Sequence, residues 1–217
     1  MTAIIDQLMQ GLPSDRIRTN ARVKTVHPQG VTLTSGETIA GSGVVLATEG
    51  PETARLLGDT AQFSSRGELC FYYEAKTPPI DEPYLVLNGD GTGRVNSLTV
   101  PSIVAPTYAP AGRHLISVVV VGHLDADISS VEMAVRKELY EWFGPAVDDW
   151  RHLKIFRIEH ALPAQPPPMP DPTRAVHSIK PGLYVCGEYG SVPGIQWALL
   201  SGRRAAETVI QEFEKRK

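Results

Sequence analysis

The segment from residue 182 to residue 213 places the strongest limit on what this chain can fold into. Residues 183–186 (LYVC) form an apolar run of strand length, and the next eight residues, GEYGSVPG, have the composition of a loop. From residue 195, apolar and small residues recur at i, i+3, i+4 and i+7, which predicts a helix over residues 195–214. A buried strand, a glycine-rich loop and a long helix in this order are typical of an open α/β sheet.

The residue types in this loop favour a ligand site at the end of the strand. Gly187 has no side chain, so a ligand can approach its backbone closely. Glu188 places a hydrogen-bond acceptor at the carboxyl end of the strand, where open α/β sheets bind ligands. Gly194 leads into a helix whose first amides and dipole favour negative charge. Taken alone, these residues are equally compatible with a strand–loop–helix packing unit that binds nothing.

The first part of the chain predicts a small antiparallel meander followed by a second buried strand. A short helix over residues 2–12 precedes strands over residues 17–26, 31–33 and 37–39. Residues 44–47 (VVLA) are apolar without alternation, so we expect this strand to be covered on both faces, as in a parallel sheet. It ends at Thr48, and a short helix over residues 51–57 follows.

The middle of the chain predicts an antiparallel sheet with one helix. Turn-rich loops separate apolar runs at residues 68–76, 84–88, 95–100, 115–121 and 154–160. A capping-box pattern at Ser129 and Glu132 predicts the start of the helix. Residues 163–172 are rich in proline, so we expect an extended loop there.

Two of these segments resemble the flavin-containing amine oxidoreductase superfamily, which includes protoporphyrinogen oxidases, carotenoid desaturases and monoamine oxidases. GLYVCGEYGSVPGIQWALLSGRRAAETVI resembles its C-terminal FAD signature, and IRTNARVKTVHPQGVTLTSGETIAGSGVVLAT resembles its passage away from the adenine-contacting strand. The resemblance implies an α/β (α+β) fold. In it, a partial FAD-binding subdomain, residues 1–62 and 163–217, carries an inserted antiparallel-sheet substrate domain, residues 63–162.

The resemblance also implies that FAD is the cofactor, and it gives roles to eight positions without naming a catalytic acid, a catalytic base or a metal ligand. The expected FAD contacts are Val23 at the adenine end, Ala47 and Thr48 at the strand end beside the cofactor, Gly187 and Glu188 at the ribityl-pyrophosphate, and the amides of Gly194, Ile195 and Gln196 at the isoalloxazine.

The chain departs from the family pattern in three ways, of which two bear on the cofactor and the substrate and the third is Trp197, where family members usually have a small residue. The chain contains no Gly-x-Gly-x-x-Gly motif, so it corresponds to roughly the C-terminal half of the family's length and should bind FAD weakly. We therefore expect the missing N-terminal half, or a homodimer mate, as a partner. Gly194 stands where monoamine oxidases have an aromatic residue, which favours a flat or extended apolar substrate over an aromatic amine.

The resulting functional hypothesis is the C-terminal portion of an FAD-dependent oxidoreductase. It would remove a hydride from an apolar or amine substrate, as a desaturase or an oxidase does. The alternative is a non-catalytic fragment, or a module that binds a small molecule or a partner and lacks the dinucleotide-binding half.

Composition argues against several other classes of function. The formal net charge of −3 argues against nucleic-acid binding, which needs a basic surface. Two cysteines without a CxxC or Cys/His cluster indicate a reduced cytoplasmic protein without a zinc site. No apolar stretch reaches the ~20 residues of a membrane span, so membrane contact is expected to be peripheral at most. Of the histidines, only His160, beside Glu159, is a candidate for a role near the flavin.

Overall fold

The computed structural model describes residues 2–58, 64–122, 125–168, 171, 177–190 and 192–215. The chain divides into two compact units: unit 1 is Met1–Gln62 with Pro168–Lys217, and unit 2 is Phe63–Pro167. Helices and short sheets make up unit 1, and an antiparallel sheet dominates unit 2, which confirms the predicted α/β (α+β) class.

The first segment of unit 1 forms a meander and a strand–helix pair. Its elements are α1 (Thr2–Gln10), β1 (Val23–His27), β2 (Gly30–Leu33), β3 (Thr38–Ala40), β4 (Val44–Leu46) and α2 (Gly50–Leu57). Strands β1, β2 and β3 pair antiparallel in that order. The first strand starts at Val23 rather than at residue 17, because Asn20 has a φ of 57° and Ser14–Arg16 form a 3₁₀ turn.

Unit 2 is a five-stranded antiparallel sheet with a helix on one face. Its elements are β5 (Ser65–Ala75), β6 (Val86–Leu87), β7 (Ser97–Thr99), α3 (Pro101–Val104), β8 (His114–Val121), α4 (Ile128–Phe143) and β9 (Arg151–Pro163). The strand order is β6-β7-β8-β5-β9. The core consists of apolar residues of the sheet and of α4, among them Leu69, Phe71, Tyr73, Val131, Val135 and Leu139.

Several boundaries in unit 2 differ from the sequence prediction, and two of the differences have a clear physical reason. Helix α4 is capped by Asp127, whose carboxylate accepts the Ser130 N–H at 2.8 Å, so the predicted cap at Ser129 is wrong by two residues. Strand β9 continues to Pro163, which pairs with Ser65. An edge strand tolerates this proline because one side of it needs no ladder hydrogen bonds.

The second segment of unit 1 returns to the first sheet. Strands β10 (Ser178–Lys180) and β11 (Leu183–Val185) are followed by α5 (Ile195–Glu214). Strand β11 pairs antiparallel with β10 and parallel with β4. The predicted burial of β4 on both faces is wrong: Leu46 is buried on one face, but Val45 points to the other face and is 43% exposed, so that face is only partly covered.

Helix α5 buries only part of its apolar surface. Ser201 and Ala205 are buried, whereas Ile195, Leu199 and Ile210 are 43%, 47% and 56% exposed. At 100° per residue, these three and the exposed Ala206 fall within an arc of about 60°. We call Ile195, Leu199, Ala206 and Ile210 the outer stripe of α5.

Candidate functional site

Two parallel strands of unit 1 end at the same edge of their sheet. Val44 pairs with Leu183 and Leu46 with Val185, and the Cys186 N–H donates to the Leu46 carbonyl at 2.9 Å. The residues that follow the two strands are therefore neighbours: the exposed Ala47 and half-buried Thr48 after β4, and Gly187 and Glu188 after β11. The carboxyl ends of adjacent parallel strands are the usual ligand position in open α/β sheets.

Gly187 is required by the packing of a neighbouring ring. Its φ is +149°, and a Cβ there would lie 2.4 Å from the Tyr189 ring. Its N–H donates to the Ser201 hydroxyl of α5 at 3.0 Å. The space that we expected a ligand to use beside Gly187 is thus occupied by Tyr189, and the glycine joins the end of β11 to α5.

Glu188 closes the loop onto the start of α5. Its Oε2 accepts the Gly194 N–H at 2.7 Å. The Gly194 carbonyl in turn accepts the N–H groups of Trp197 and Ala198, both at 3.0 Å, as the first bonds of the helix. A carboxylate at this point lies at the positive end of the helix dipole. Its charge therefore stabilises both the loop and the helix start.

The predicted amide donors differ in what they are bonded to. The Gly194 N–H is engaged by Glu188, so its contact with the isoalloxazine stays a prediction. Ile195 and Gln196 occupy the first turn of α5, where a helix has no internal carbonyl for the backbone N–H. These two amides are oriented to meet an acceptor outside the helix.

A chain of hydroxyl groups connects the ends of the two strands. The Thr48 and Thr53 hydroxyls are 2.8 Å apart, and the Thr53 hydroxyl donates to the Tyr189 oxygen at 3.3 Å. The Tyr189 hydroxyl donates to the Cys186 carbonyl at 3.0 Å. Burial raises the pKa of the Tyr189 phenol, although its hydrogen bond with Thr53 partly lowers it. The phenol therefore stays protonated and keeps donating.

Sequence reasoning missed Thr53, Tyr189 and Ser201. The signal for Thr53 and Ser201 is a hydroxyl at a helix position that is buried, with relative exposures of 0% and 5%. Buried hydroxyls need hydrogen-bond partners, so a hydroxyl on the packed side of α2 or α5 predicts a bond across to the strand ends. The signal for Tyr189 is Gly187, since a glycine two residues away leaves room for the ring.

Val23 lies at the start of β1 and is held by α2. Its carbonyl accepts Nη2 of Arg55 at 2.8 Å, and Nη1 of Arg55 reaches the Lys24 carbonyl at 3.2 Å. Glu52 orients the same guanidinium at 2.6 and 2.8 Å. Arg55 thus ties the meander to the helix that follows Thr48. The expected adenine contact of Val23 stays a prediction.

The two cysteines and His160 are the other candidates for a reactive group, and none of them lies in an environment that activates it. Cys70 and Cys186 are both free and buried, and burial raises the pKa of the Cys186 thiol, which disfavours the reactive thiolate. In unit 2, His160 Nδ1 lies 2.6 Å from the Ser65 hydroxyl on an exposed part of the sheet. Across the described residues, no group of three His, Cys, Asp or Glu side chains is arranged to hold a metal ion.

Comparisons with known proteins assign this arrangement to a family. The model of the flavin containing amine oxidoreductase family matches residues 1–210. The chain belongs to this family. Its members depend on a flavin, so the expected superfamily is confirmed, together with a flavin as the family's cofactor.

Solved structures show the same fold. Cyclohexylamine oxidase from Brevibacterium oxydans is 14% identical with a TM-score of 0.71, and the match covers 98% of this chain and 52% of the oxidase chain. A protein of Pyrococcus furiosus is 16% identical with a TM-score of 0.68, and the match covers 95% of this chain and 51% of the Pyrococcus chain. Putrescine oxidase bound to putrescine is 13% identical with a TM-score of 0.68, and the match covers 97% of this chain and 53% of the putrescine oxidase chain.

The chain spans about half the length of these solved structures, as the 51–53% coverage shows. No curated protein sequence matches it significantly. Among its described helices, none combines the length and apolar character needed to cross a membrane.

Proposed function

We propose that this chain is the C-terminal portion of an FAD-dependent oxidoreductase that removes a hydride from an apolar or amine substrate. The observation that carries the proposal is the hydrogen bond from Gly194 to Glu188, which places the first turn of α5 next to the ends of β4 and β11. Membership of a flavin family supports FAD as the ligand of this edge.

The residues present fit the flavin end of FAD. Helix α5 spans twenty residues, and the amides of Ile195 and Gln196 in its first turn suit the negatively charged side of a flavin ring. Ala47 and Thr48 would lie at the strand end beside the cofactor, and Glu188 would hold the loop in place near the ribityl-pyrophosphate. Beside Gly187 the Tyr189 ring occupies the space, so the part of Gly187 would be to fix the end of β11 to α5. FAD supplies the hydride acceptor, and these residues supply position and electrostatics.

The adenine and pyrophosphate end is less complete. Val23 is the residue expected at the adenine, and the sequence has no Gly-x-Gly-x-x-Gly loop to hold the two phosphates. We infer that the complementary dinucleotide-binding half of the family fold is the partner of this chain. The surfaces that suit it are the edge strand β4, with Val45 exposed, and the outer stripe of α5, which is apolar and uncovered.

The visible absorption spectrum tests the proposal. The purified chain is mixed with FAD, passed through a gel-filtration column and scanned near ~450 nm, where bound oxidised flavin absorbs. We expect the chain alone to retain FAD weakly. After co-expression with a polypeptide that carries a Gly-x-Gly-x-x-Gly motif and is encoded next to it, we expect the chain to retain FAD strongly. The matched variants are Glu188→Ala and, on the exposed side of α5, Glu207→Ala. Equal retention by the two variants, or none with the partner present, contradicts the proposal.

A second candidate function is a non-catalytic module that binds a small molecule or a partner. The uncovered outer stripe of α5 favours it, because a second copy of this chain could cover the same residues. Sedimentation velocity separates the candidates. A homodimer that excludes the dinucleotide-binding half and never retains FAD supports the module, whereas a one-to-one yellow complex supports the oxidoreductase.

A further inference from the structure

A small cavity lies in unit 2, between the β6–β7 hairpin and the C-terminal end of helix α4. It has a volume of about 280 Å³ and is lined by residues 86–90 and by Trp142 and Phe143. All of these residues belong to unit 2. This volume is at the lower end of the range for small-molecule sites, so the cavity has room for one compact group.

Aromatic rings form one wall of the cavity. The rings of Trp142 and Phe143 meet edge to face, with centroids 6.2 Å apart and planes at 74°. Both are half-buried, and Phe143 is backed by the buried Trp150, whose ring centroid lies 6.1 Å away. The electron-rich face of an aromatic ring attracts cations, and the face of tryptophan does so most strongly. The wall therefore favours a positively charged ligand.

Two further features favour positive charge at this end of the helix. Helix α4 ends at Phe143, and its last turn contains no basic residue that would offset the negative end of the helix dipole. Asp90 lines the same cavity and is exposed. In the described part of the chain, no lysine, arginine or histidine comes within 4.0 Å of its carboxylate. The negative charge of Asp90 is therefore available to a ligand.

The loop that carries Asp90 is held in place by hydrogen bonds. Within the loop, the Asn88 amide donates to the Val95 carbonyl at 3.0 Å, and its oxygen accepts the Asp90 N–H at 3.1 Å. From α4, the Glu138 carboxylate accepts the N–H groups of Arg94 and Val95 at 2.5 and 2.9 Å. The loop is thus tied to the helix that supplies the rings, and this order lowers the entropic cost of binding a ligand.

This set of groups suits an organic cation better than a metal ion. Calcium and magnesium take about six or more oxygen ligands, whereas the cavity offers the one carboxylate of Asp90. The Asn88 side chain is already bonded within its own loop. Alkyl-substituted ammonium ions have an apolar surface and bind to ring faces beside a carboxylate.

We propose that this cavity binds an organic ammonium ion. Trp142 and Phe143 contact the alkyl groups of the ion, and Asp90 balances its charge. The ion is the head group of a free small molecule or of a side chain on another protein. The inference does not depend on FAD, because every residue that it uses lies in unit 2.

Titrations followed by ¹H–¹⁵N NMR test the proposal on the whole chain. The reporter is the indole N–H signal of Trp142, assigned by its loss in Trp142→Phe. Choline and 3,3-dimethylbutan-1-ol have the same shape, but only choline is charged. We expect choline to shift this signal saturably and the alcohol to bind about tenfold more weakly.

A third probe distinguishes the two sources of the ion. An N-acetylated trimethyllysine amide carries the same head group as choline on a peptide-like backbone. Tighter binding of this amide than of choline identifies a protein side chain as the source, and tighter binding of choline identifies a free molecule.

Matched variants separate the charge from the rings. Asp90→Asn, at an exposed position, should weaken choline binding about tenfold and leave the alcohol unchanged, because it removes only the charge. Trp142→Leu should weaken choline binding roughly 3–10-fold, with circular dichroism as the check that the fold is kept. Glu159→Gln is the control, since it neutralises an exposed carboxylate of β9, which is the edge strand opposite β6. The proposal is overturned if choline and the alcohol bind alike, or if Asp90→Asn and Glu159→Gln behave alike.

Discussion

The Glu188 carboxylate accepts the backbone N–H of Gly194, six positions further along the chain, at 2.7 Å. This bond links the loop that follows strand β11 to the N-cap residue of helix α5. The loop is therefore held by a charge rather than by apolar packing, and the same charge stabilises the helix dipole.

The first prediction concerns this carboxylate. Glu188→Ala should lower the free energy of unfolding of the chain by about 1–3 kcal/mol, because it leaves the Gly194 N–H without its charged acceptor. Glu188→Gln keeps an acceptor oxygen and should recover about half of the loss. Urea unfolding followed by circular dichroism measures both. Equal stabilities of the two variants would show that the Glu188–Gly194 bond contributes little.

The second prediction concerns Gly187. Gly187→Ala should destabilise the chain by more than about 1–3 kcal/mol, since the left-handed φ is strained for alanine and the new Cβ lies 2.4 Å from the Tyr189 ring. Gly36→Ala is the control, because Gly36 has a φ of +90° but open space around its Cα. It should show the strain alone. A smaller effect at Gly187 than at Gly36 would contradict the close packing.

The third prediction uses the hydroxyl chain. Tyr189→Phe and Thr53→Val each break the bond between the two side chains, and each should cost about 1 kcal/mol of unfolding free energy. Because they share that bond, the double variant should cost less than the sum by about 0.5–1 kcal/mol. A double-mutant cycle in urea measures this coupling, and strict additivity is the contrary result.

The fourth prediction is a pH dependence at Glu74. The hydrogen bond from Arg151, together with the charges of Arg151 and Arg113, holds the pKa of the Glu74 carboxyl below its ordinary value of 4.5. A carboxyl with a lowered folded-state pKa stabilises the protein above 4.5 and loses that contribution as pH falls through the folded-state pKa. Wild type should therefore exceed Glu74→Gln in urea midpoint near neutral pH and approach it in acid. If the two midpoints differ by the same amount at both pH values, the ion pairs of Glu74 do not stabilise the fold.

The fifth prediction concerns the outer stripe of α5. Leu199 and Ile210 are exposed, so Leu199→Lys and Ile210→Lys should change the free energy of unfolding by no more than about 0.5 kcal/mol. Both should nevertheless weaken association with the complementary half or with a second copy. Sedimentation velocity at several concentrations measures this. Strong destabilisation would mean that the stripe is already packed within the chain.

The order of helices and strands could largely be predicted from the sequence, because each long element has a recognisable spacing of apolar residues. The last helix was predicted at residues 195–214 and is observed as Ile195–Glu214. The first strand was predicted too long, since local apolar content does not reveal that Asn20 takes a left-handed turn. The burial of β4 was mispredicted because apolar composition does not show whether an element packs on the face of the sheet to which Val45 points.

Only part of the candidate site could be predicted from the sequence. Gly187, Glu188 and Gly194 follow from a strand, a glycine loop and a helix in succession, and the structure brings them together. The Thr53–Tyr189 bond joins positions 136 residues apart, and no local pattern encodes such a contact. In unit 2, the register shift of β9 beside Tyr72 and Tyr73 puts Phe156 and His152 on opposite faces of the sheet, and apolar periodicity does not predict such a shift.

The pairing of β4 with β11 has a consequence for the order of events during synthesis. Unit 2 is one continuous segment and can complete its sheet as soon as β9 has left the ribosome. Strand β4 is made earlier but must wait for β11, which is made only after the whole of unit 2. Unit 2 is therefore expected to fold first during translation. Meanwhile the nascent β4 displays an unpaired edge, a stage at which chaperones would protect the chain.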